Sequence, residues 1–231
     1  KPQQPRFAFD QAHAETYDQR FVKLAPLRDA LHLLMSAVLA DLPADARILC
    51  AGAGTGQELI YLGQKFPQWR FAVVEPSAPM LAVCRRKAED LGMAARCVFH
   101  AGYLDTLPPS AGFDAATSLL VSQFILDPEV RARFFRNIAD RLRPGGFLVS
   151  ADLAAGTDPA DYRNLLEVWL RLMRETGSTP EQLAKLPAAY ERDVAVLPVP
   201  QLSAIIAASG FGPPVQFLQT ALIHGWYARR V

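Results

Sequence analysis

Three glycines at alternate positions, Gly52-Ala53-Gly54-Thr55-Gly56, follow the apolar run Ile48-Leu49-Cys50-Ala51 and open a helix-like stretch at Gln57. Glycine reaches backbone conformations closed to other residues and removes the side chains that would hold a ligand away from the peptide units. The first turn of the helix leaves N–H groups without intrahelical partners, free to receive a polar or anionic group. A second apolar run, Phe71-Ala72-Val73-Val74, ends in Glu75. An acid at that strand tip can accept both hydroxyls of a ribose. Glycine turn, helix, strand and acid together point to a nucleoside cofactor. The plainer alternative is a tight turn, with Glu75 capping the helix after it.

The elements that must position these residues are legible from periodicity. Apolar positions 27, 30, 31, 34, 35 and 38 repeat at helical spacing after Pro26, and Leu42-Pro43 ends that helix. Strands are expected over 47–51, 69–75, 95–100, 113–120 and 147–151, with helices over 57–66, 77–88 and 129–142 between them. Strict alternation means parallel strands covered by helices on both faces. The right-handed crossover rule then brings 52–56, Glu75, the 101–105 loop and 118–123 to one rim. The alternation fails over 153–200, where helices are expected over 161–175 and 180–186. A helix over 201–209 and two strands over 215–228 complete the chain, the strands closing the sheet as an antiparallel pair.

A chain of 231 residues with 51% hydrophobic and 20% charged residues fits one domain. Within it, 9–40 is expected to form a helical lid and 153–200 a helical insertion that serves as a substrate wall or a dimer surface. The net charge of +1 provides no global field for nucleic acid. Cys50, Cys84 and Cys97 have neither paired nor metal-like spacing, and an odd number fits a reducing compartment. No stretch is long and apolar enough to span a bilayer and no signal peptide precedes the domain, so the cytoplasm is expected and a membrane partner is not.

The motif order resembles the class I S-adenosylmethionine-dependent methyltransferases from roughly Phe9 to the C-terminus, most strongly over Arg47–Asp152. Leu49 to Gly56 resembles the family's glycine motif, and Glu75-Pro76-Ser77-x-x-Met80-Leu81 its ribose-binding strand end. Phe113-Asp114 with Ser118, and Leu142-Arg143-Pro144-Gly145-Gly146, match later motifs. The resemblance implies a Rossmann-like, doubly wound α/β fold with a mostly parallel seven-stranded sheet and an antiparallel C-terminal edge strand. It implies S-adenosylmethionine as cofactor, S-adenosylhomocysteine as product and no metal. It implies a cofactor set of Gly52, Ala53, Gly54, Gly56, Glu75, Pro76, Met80, Gly102, Tyr103, Leu104 and Ser118. Cys50 and Tyr103 stand where the family usually carries acids, leaving Asp105 as a substitute partner for the adenine.

Phe9-Asp10 and Tyr17-Asp18-x-Arg20 are similar to the lid of small-molecule, quinone-pathway methyltransferases. The acceptor is therefore expected to be a small molecule met by Tyr17, Arg20, Tyr103, Ser122 and Gln123. Lid packing, surface pairing and helix capping are the plain alternatives for these residues. His100 is the one candidate base, at a strand end. A looser similarity links Gly102-Tyr103 and Leu120–Phe124 to enzymes that use carboxy-S-adenosylmethionine on tRNA wobble uridine. That cofactor would ask for a cation such as Arg20 or Arg28, and the charge balance weighs against tRNA while leaving it open. An NAD-dependent oxidoreductase and a non-catalytic protein, either an adenosyl-ligand binder or a dimeric regulator, are the rival classes.

Overall fold

The structure is a computed structural model that describes residues 11–110 and 112–231, without the side chains of residues 11–13, 15 and 20. Phe9, Asp10 and the side chain of Arg20 lie outside the described residues. Two helices lead in, α1 (Gln11–Arg20) and α2 (Ala25–Val38), with a proline in the first turn of α2. The alternating part follows as β1 (Arg47–Ala51), α3 (Gln57–Lys65), β2 (Arg70–Glu75), α4 (Ala78–Asp90), β3 (Cys97–Ala101), β4 (Phe113–Leu119), α5 (Pro128–Arg141) and β5 (Leu142–Ala155). The chain ends in α6 (Pro159–Glu175), α7 (Pro180–Asp193), β6 (Leu197–Pro198), α8 (Val199–Ala207), β7 (Val215–Thr220) and β8 (Ile223–Arg229).

The sheet order is β3-β2-β1-β4-β5-β8-β7, with β6 paired to β5. Strands β1 to β5 are parallel, while β8 runs antiparallel to β5 and to β7. The terminal pair closes that side of the sheet, with β8 inside and β7 at the edge. The chain winds outward from β1 to β3, then returns to β4 beside β1. The reversal opens a crevice at the carboxyl ends of β1 and β4.

Side-chain alternation along the strands feeds two cores. On one face Ile48, Cys50, Val73 and Ala115 pack with residues of α2, α3 and α4. On the other Leu49, Ala51, Val74, Ala116 and Leu148 pack with Phe135 and Ile138 of α5 and Leu202 and Ile206 of α8. Asp114 joins two motifs distant in sequence: its carboxylate accepts from Arg47 N at 2.7 Å and pairs with Arg143 at 2.8 Å. The start of β1 and the turn before β5 are thereby fastened to β4.

Helix α7 and strand β5 run furthest past their expected ends. Helix α7 continues beyond Leu186 and through Pro187. Leu183, Leu186 and Tyr190 all pack into the cluster around Trp169, and Trp169 Nε1 donates to Tyr190 Oη at 2.7 Å, which offsets the backbone hydrogen bond the proline removes. Strand β5 reaches Ala155 because Leu197 and Pro198 pair with its last two residues, an eighth strand that two residues were too short to announce. Among the described residues no helix is long and apolar enough to cross a membrane.

Candidate cofactor site

The site is built around the tip of β2. Gly52 N and Ala53 N donate to Val74 O at 2.8 and 3.1 Å, Gly54 N donates to Glu75 Oε2 at 2.8 Å, and Ser77 N donates to Glu75 Oε1 at 2.8 Å. Gly102 N donates to Glu75 O at 3.1 Å. The glycine turn, the acid, the start of α4 and the loop after β3 are thus one hydrogen-bonded assembly. Each carboxylate oxygen of Glu75 retains a lone pair after these bonds, enough for the two donors of a ribose diol. Glu75 is buried, which raises its pKa, while the N–H groups of Ser77 and Gly54 work the other way.

The three motif glycines all have positive φ, 81°, 53° and 81°. Their surroundings differ. A Cβ on Gly52 would lie 2.6 Å from Val121 Cγ2, so the loop after β4 crosses directly against the turn. A Cβ on Gly54 would meet only the Met80 methyl, at 3.7 Å. The space over Gly54 lies between Glu75 and the buried thioether of Met80, with a carboxylate acceptor at one end and a soft apolar face at the other. Pro76 is exposed beside it. The donor set therefore suits an adenosyl group. Ser118 lies at the end of β4, wholly buried, and its hydroxyl has no hydrogen-bond partner among the described residues.

Leu104 is buried in the loop after β3 and Tyr103 is half-buried next to it. Burial, then the charges of Asp105 and Glu75, push the Tyr103 phenol above its ordinary pKa, which places all three within one electrostatic neighbourhood. Asp105 itself is exposed. His100 Nε2 lies 2.8 Å from Thr106 Oγ1, so the ring is engaged by the same loop. Arg28 pairs with Asp29 on the surface at 2.8 Å.

Helix α1 packs on α4. Ala14 is buried in a cluster with Met80 and Val83, and Tyr17 joins it with its ring centroid 5.0 Å from that of Phe21. Tyr17 is thus on the Met80 side of the site. Asp18 accepts from Thr55 Oγ1 at 2.7 Å and from Lys87 Nζ, which also donates to Thr55 O at 3.1 Å. Burial opposes ionisation of Asp18, but hydrogen bonds from Lys87, Gln57 and Thr55 outweigh it and hold its pKa below the ordinary value. Asp18, Thr55 and Lys87 form a latch between α1 and the glycine turn that sequence reasoning missed. A cluster Arg85-Arg86-Lys87 near a helix end reads as solvated, and nothing local marks the one lysine that turns inward.

Ser122 and Gln123 are buried at the rim, and their side chains face β5. Ser122 Oγ donates to Asp152 Oδ2 at 2.8 Å and accepts from Arg131 Nε at 2.8 Å. Gln123 N donates to Asp152 Oδ1 at 2.8 Å, and Leu153 N donates to Gln123 Oε1 at 2.8 Å. Arg131 Nη1 donates to Ala195 O at 3.1 Å, and Ala195 N to Gln123 O at 2.8 Å. Burial works against charge on both Asp152 and Arg131, raising the first pKa and lowering the second, and their attraction with these hydrogen bonds offsets it. This network ties the loop after β4 to β5 and to the end of the helical insertion. Beside it Leu120 has φ 59°, a left-handed conformation uncommon for a branched side chain and held by Leu120 N donating to Ala151 O at 2.6 Å.

A second acid was also missed. Glu58, in the first turn of α3, is buried beneath the glycine turn, and burial together with the nearby Glu75 charge pushes its pKa up to about 8. Among the described residues no group of His, Cys, Asp and Glu is arranged to hold a metal ion.

Comparison with known proteins agrees with this geometry. The methyltransferase domain family model matches residues 48–146, the span from β1 through the turn into β5. The chain is 29% identical over 219 residues to the demethylmenaquinone methyltransferase of Thermus thermophilus, covering 88% of this chain and 97% of that protein. It is 26% identical over 188 residues to the carboxy-S-adenosyl-L-methionine synthase of Campylobacter hominis, covering 80% and 78%. The structure of an O-methyltransferase family protein from Burkholderia thailandensis superposes with a TM-score of 0.69 at 14% identity, a likeness of fold, and this chain spans 61% of its length. The glycine turn, the acid at the tip of β2 and the later motifs all fall within residues 48–146, the span that is a class I S-adenosylmethionine-dependent methyltransferase domain.

Proposed function

We propose that this chain methylates a small, largely apolar acceptor held between the end of β4 and the α6–α7 insertion. The observation that carries the reading is the apolar cluster at the rim, where Leu119, Leu120 and Phe124 pack with Phe21, Trp169 and Tyr190 around Leu153 and Leu222. A wall of this kind stabilises an apolar ring by burial and offers few partners to a charged acceptor. The cofactor, when bound, supplies an electrophilic methyl carbon. The protein's part is alignment and water exclusion. Glu75 and the glycine turn fix the nucleoside end, α1 covers it through the Asp18 latch, and the Asp152 network holds the loop that bears Leu120. Tyr17, Tyr103 and Arg20 are proposed to lie on the acceptor side of the cofactor.

The 29% identical relative named for demethylmenaquinone favours a quinol-like acceptor. Transfer of a carboxylated methyl group is the weaker reading, since Arg28 is committed to Asp29 at the surface. The test is a radiolabel transfer assay with a panel of hydroquinones and phenols beside tricarboxylic acids and unmodified tRNA. Label in an apolar ring acceptor, lost on Leu120→Asp, is the expected result. Label only in the polar acids or in tRNA would overturn the proposal.

A further inference from the structure

The β5–β8–β7 side of the sheet carries a polar concavity apart from the cofactor site, sharing only Leu165 with the apolar cluster at the rim. It has a volume of about 400 Å³ and is lined by Gly156, Asp161, Asn164, Gln216, Gln219 and His224 with two aliphatic side chains. None of these residues belongs to the glycine turn, the β2 tip or the loop after β3.

His224 is the distinctive member. It is 2% exposed, and its Nδ1 lies 3.0 Å from Leu222 O. A carbonyl can only accept, so Nδ1 carries the proton and Nε2 is left as a lone-pair acceptor. No described group bonds to Nε2. The ring is held nearly parallel to that of Trp226, 5.8 Å away at 16°. Burial lowers the His224 pKa, which keeps the imidazole neutral at pH 7. In the β7–β8 ladder Gln219 stands opposite His224 and Gln216 opposite Trp226, so both amides flank the ring on one face. The opposite wall is the first turn of α6, where the Asp161 carboxylate lies over Gly156. A Cβ at Gly156 would be 2.5 Å from Asp161 Oδ2, so the bare glycine leaves room for that carboxylate.

Asp161 is the one charged residue among those lining the cavity, and the buried imidazole beside it is an acceptor. Such a field admits a cation that donates hydrogen bonds and repels carboxylates and phosphates. We propose that this cavity binds a small primary ammonium compound, with Asp161 as counter-ion, His224 Nε2 as neutral acceptor and the Gln216 and Gln219 amides completing the shell. An ammonium brings three N–H donors, matching a carboxylate, an imidazole nitrogen and an amide oxygen. The site is independent of the methyl-transfer reading.

Ethanolamine is the probe, with glycolate as an anionic control of similar size, in protein saturated with S-adenosylhomocysteine at pH 7.5. The readout is the histidine two-bond ¹H–¹⁵N spectrum, the His224 signals being those absent from His224→Phe. The expected result is a saturable move of the Nε2 resonance to lower frequency with ethanolamine and none with glycolate. Asp161→Asn, at an exposed position where folding is not at stake, weakens the ethanolamine response at least tenfold and leaves S-adenosylhomocysteine affinity unchanged. Absence of a saturable shift, an equal response to glycolate, or saturation unaltered by Asp161→Asn would each overturn the proposal.

Discussion

Thr55 Oγ1 donates to Asp18 Oδ1 across 2.7 Å, so the side chain between the last two motif glycines ties the N-terminal helix to the glycine turn. Lys87 completes the contact from α4 by donating both to Asp18 and to Thr55 O. Helix α1, the glycine turn and α4 are therefore one mechanical unit. Asp18→Ala is expected to weaken S-adenosylhomocysteine binding by roughly tenfold, about 1.4 kcal/mol. Limited proteolysis within 11–20 should accelerate while the core resists. The folded pKa of Asp18 lies below its ordinary 3.8, so the latch contributes at every pH above 3.8 and is lost as pH falls through the folded value. Unchanged affinity together with unchanged proteolysis would show that the latch does nothing for the site.

Gly52 and Gly54 are expected to fail in different ways. Gly52→Ala drives a methyl into Val121 at positive φ, and should destabilise the fold by about 2–4 kcal/mol in denaturant melts. Gly54→Ala meets only the Met80 methyl and should cost about 1–2 kcal/mol of stability, yet it occupies space the nucleoside needs and should lower cofactor affinity at least tenfold. Equal stability losses with no difference in affinity would contradict this placement of the cofactor.

The Asp152 network gives a third expectation. Both partners of the Arg131–Asp152 pair are fully buried, so Arg131→Met leaves a carboxylate without its counter-ion and should cost about 3–5 kcal/mol. Adding Asp152→Leu should recover part of that loss, and a double-mutant cycle reads the coupling. Ser122→Ala should destabilise by about 1–3 kcal/mol through the same network with little change in acceptor KM. A large KM rise at undiminished stability would instead make Ser122 an acceptor contact.

Glu58 supplies a pH dependence of stability. Its folded pKa, about 8, stands above the ordinary value of 4.5, so between the two the folded state holds a proton the unfolded state has released. Stability from this group therefore falls as pH rises from about 4.5 to 8. Glu58→Gln removes that loss, and should melt roughly 4–8 °C above the parent at pH 8.5, about 2 kcal/mol, with the gap closing toward pH 5. A gap of constant size across that range would mean that Glu58 is ionised in the fold.

What the sequence made legible, and what it did not, follows from the range of the interactions. Gly54 and Glu75 were readable because their chemistry is local: a positive φ, a strand tip, a helix start. The parallel course of β1 to β5 and the antiparallel terminal pair followed from the alternation of strands and helices and its end. Lys87 was not readable, because only Asp18, 69 residues away, separates it from its solvated neighbours. Ser122 and Gln123 follow β4 as their position implies, but the direction of their side chains is set by Asp152 from another strand, which no local pattern announces. Helix α7 passes Pro187 for the same kind of reason, since Trp169 on a different helix holds Tyr190.

The most direct test of the cofactor assignment is calorimetric titration of the stripped protein with S-adenosylhomocysteine, wild type beside Glu75→Ala, with circular dichroism confirming that the variant is folded. Loss of two hydrogen bonds to a buried carboxylate is expected to weaken binding at least a hundredfold, about 2.7 kcal/mol, in a protein that otherwise keeps its fold. Equal affinity in the two proteins, or no adenosyl binding by the wild type, would contradict the account of the β2 tip as the ribose site.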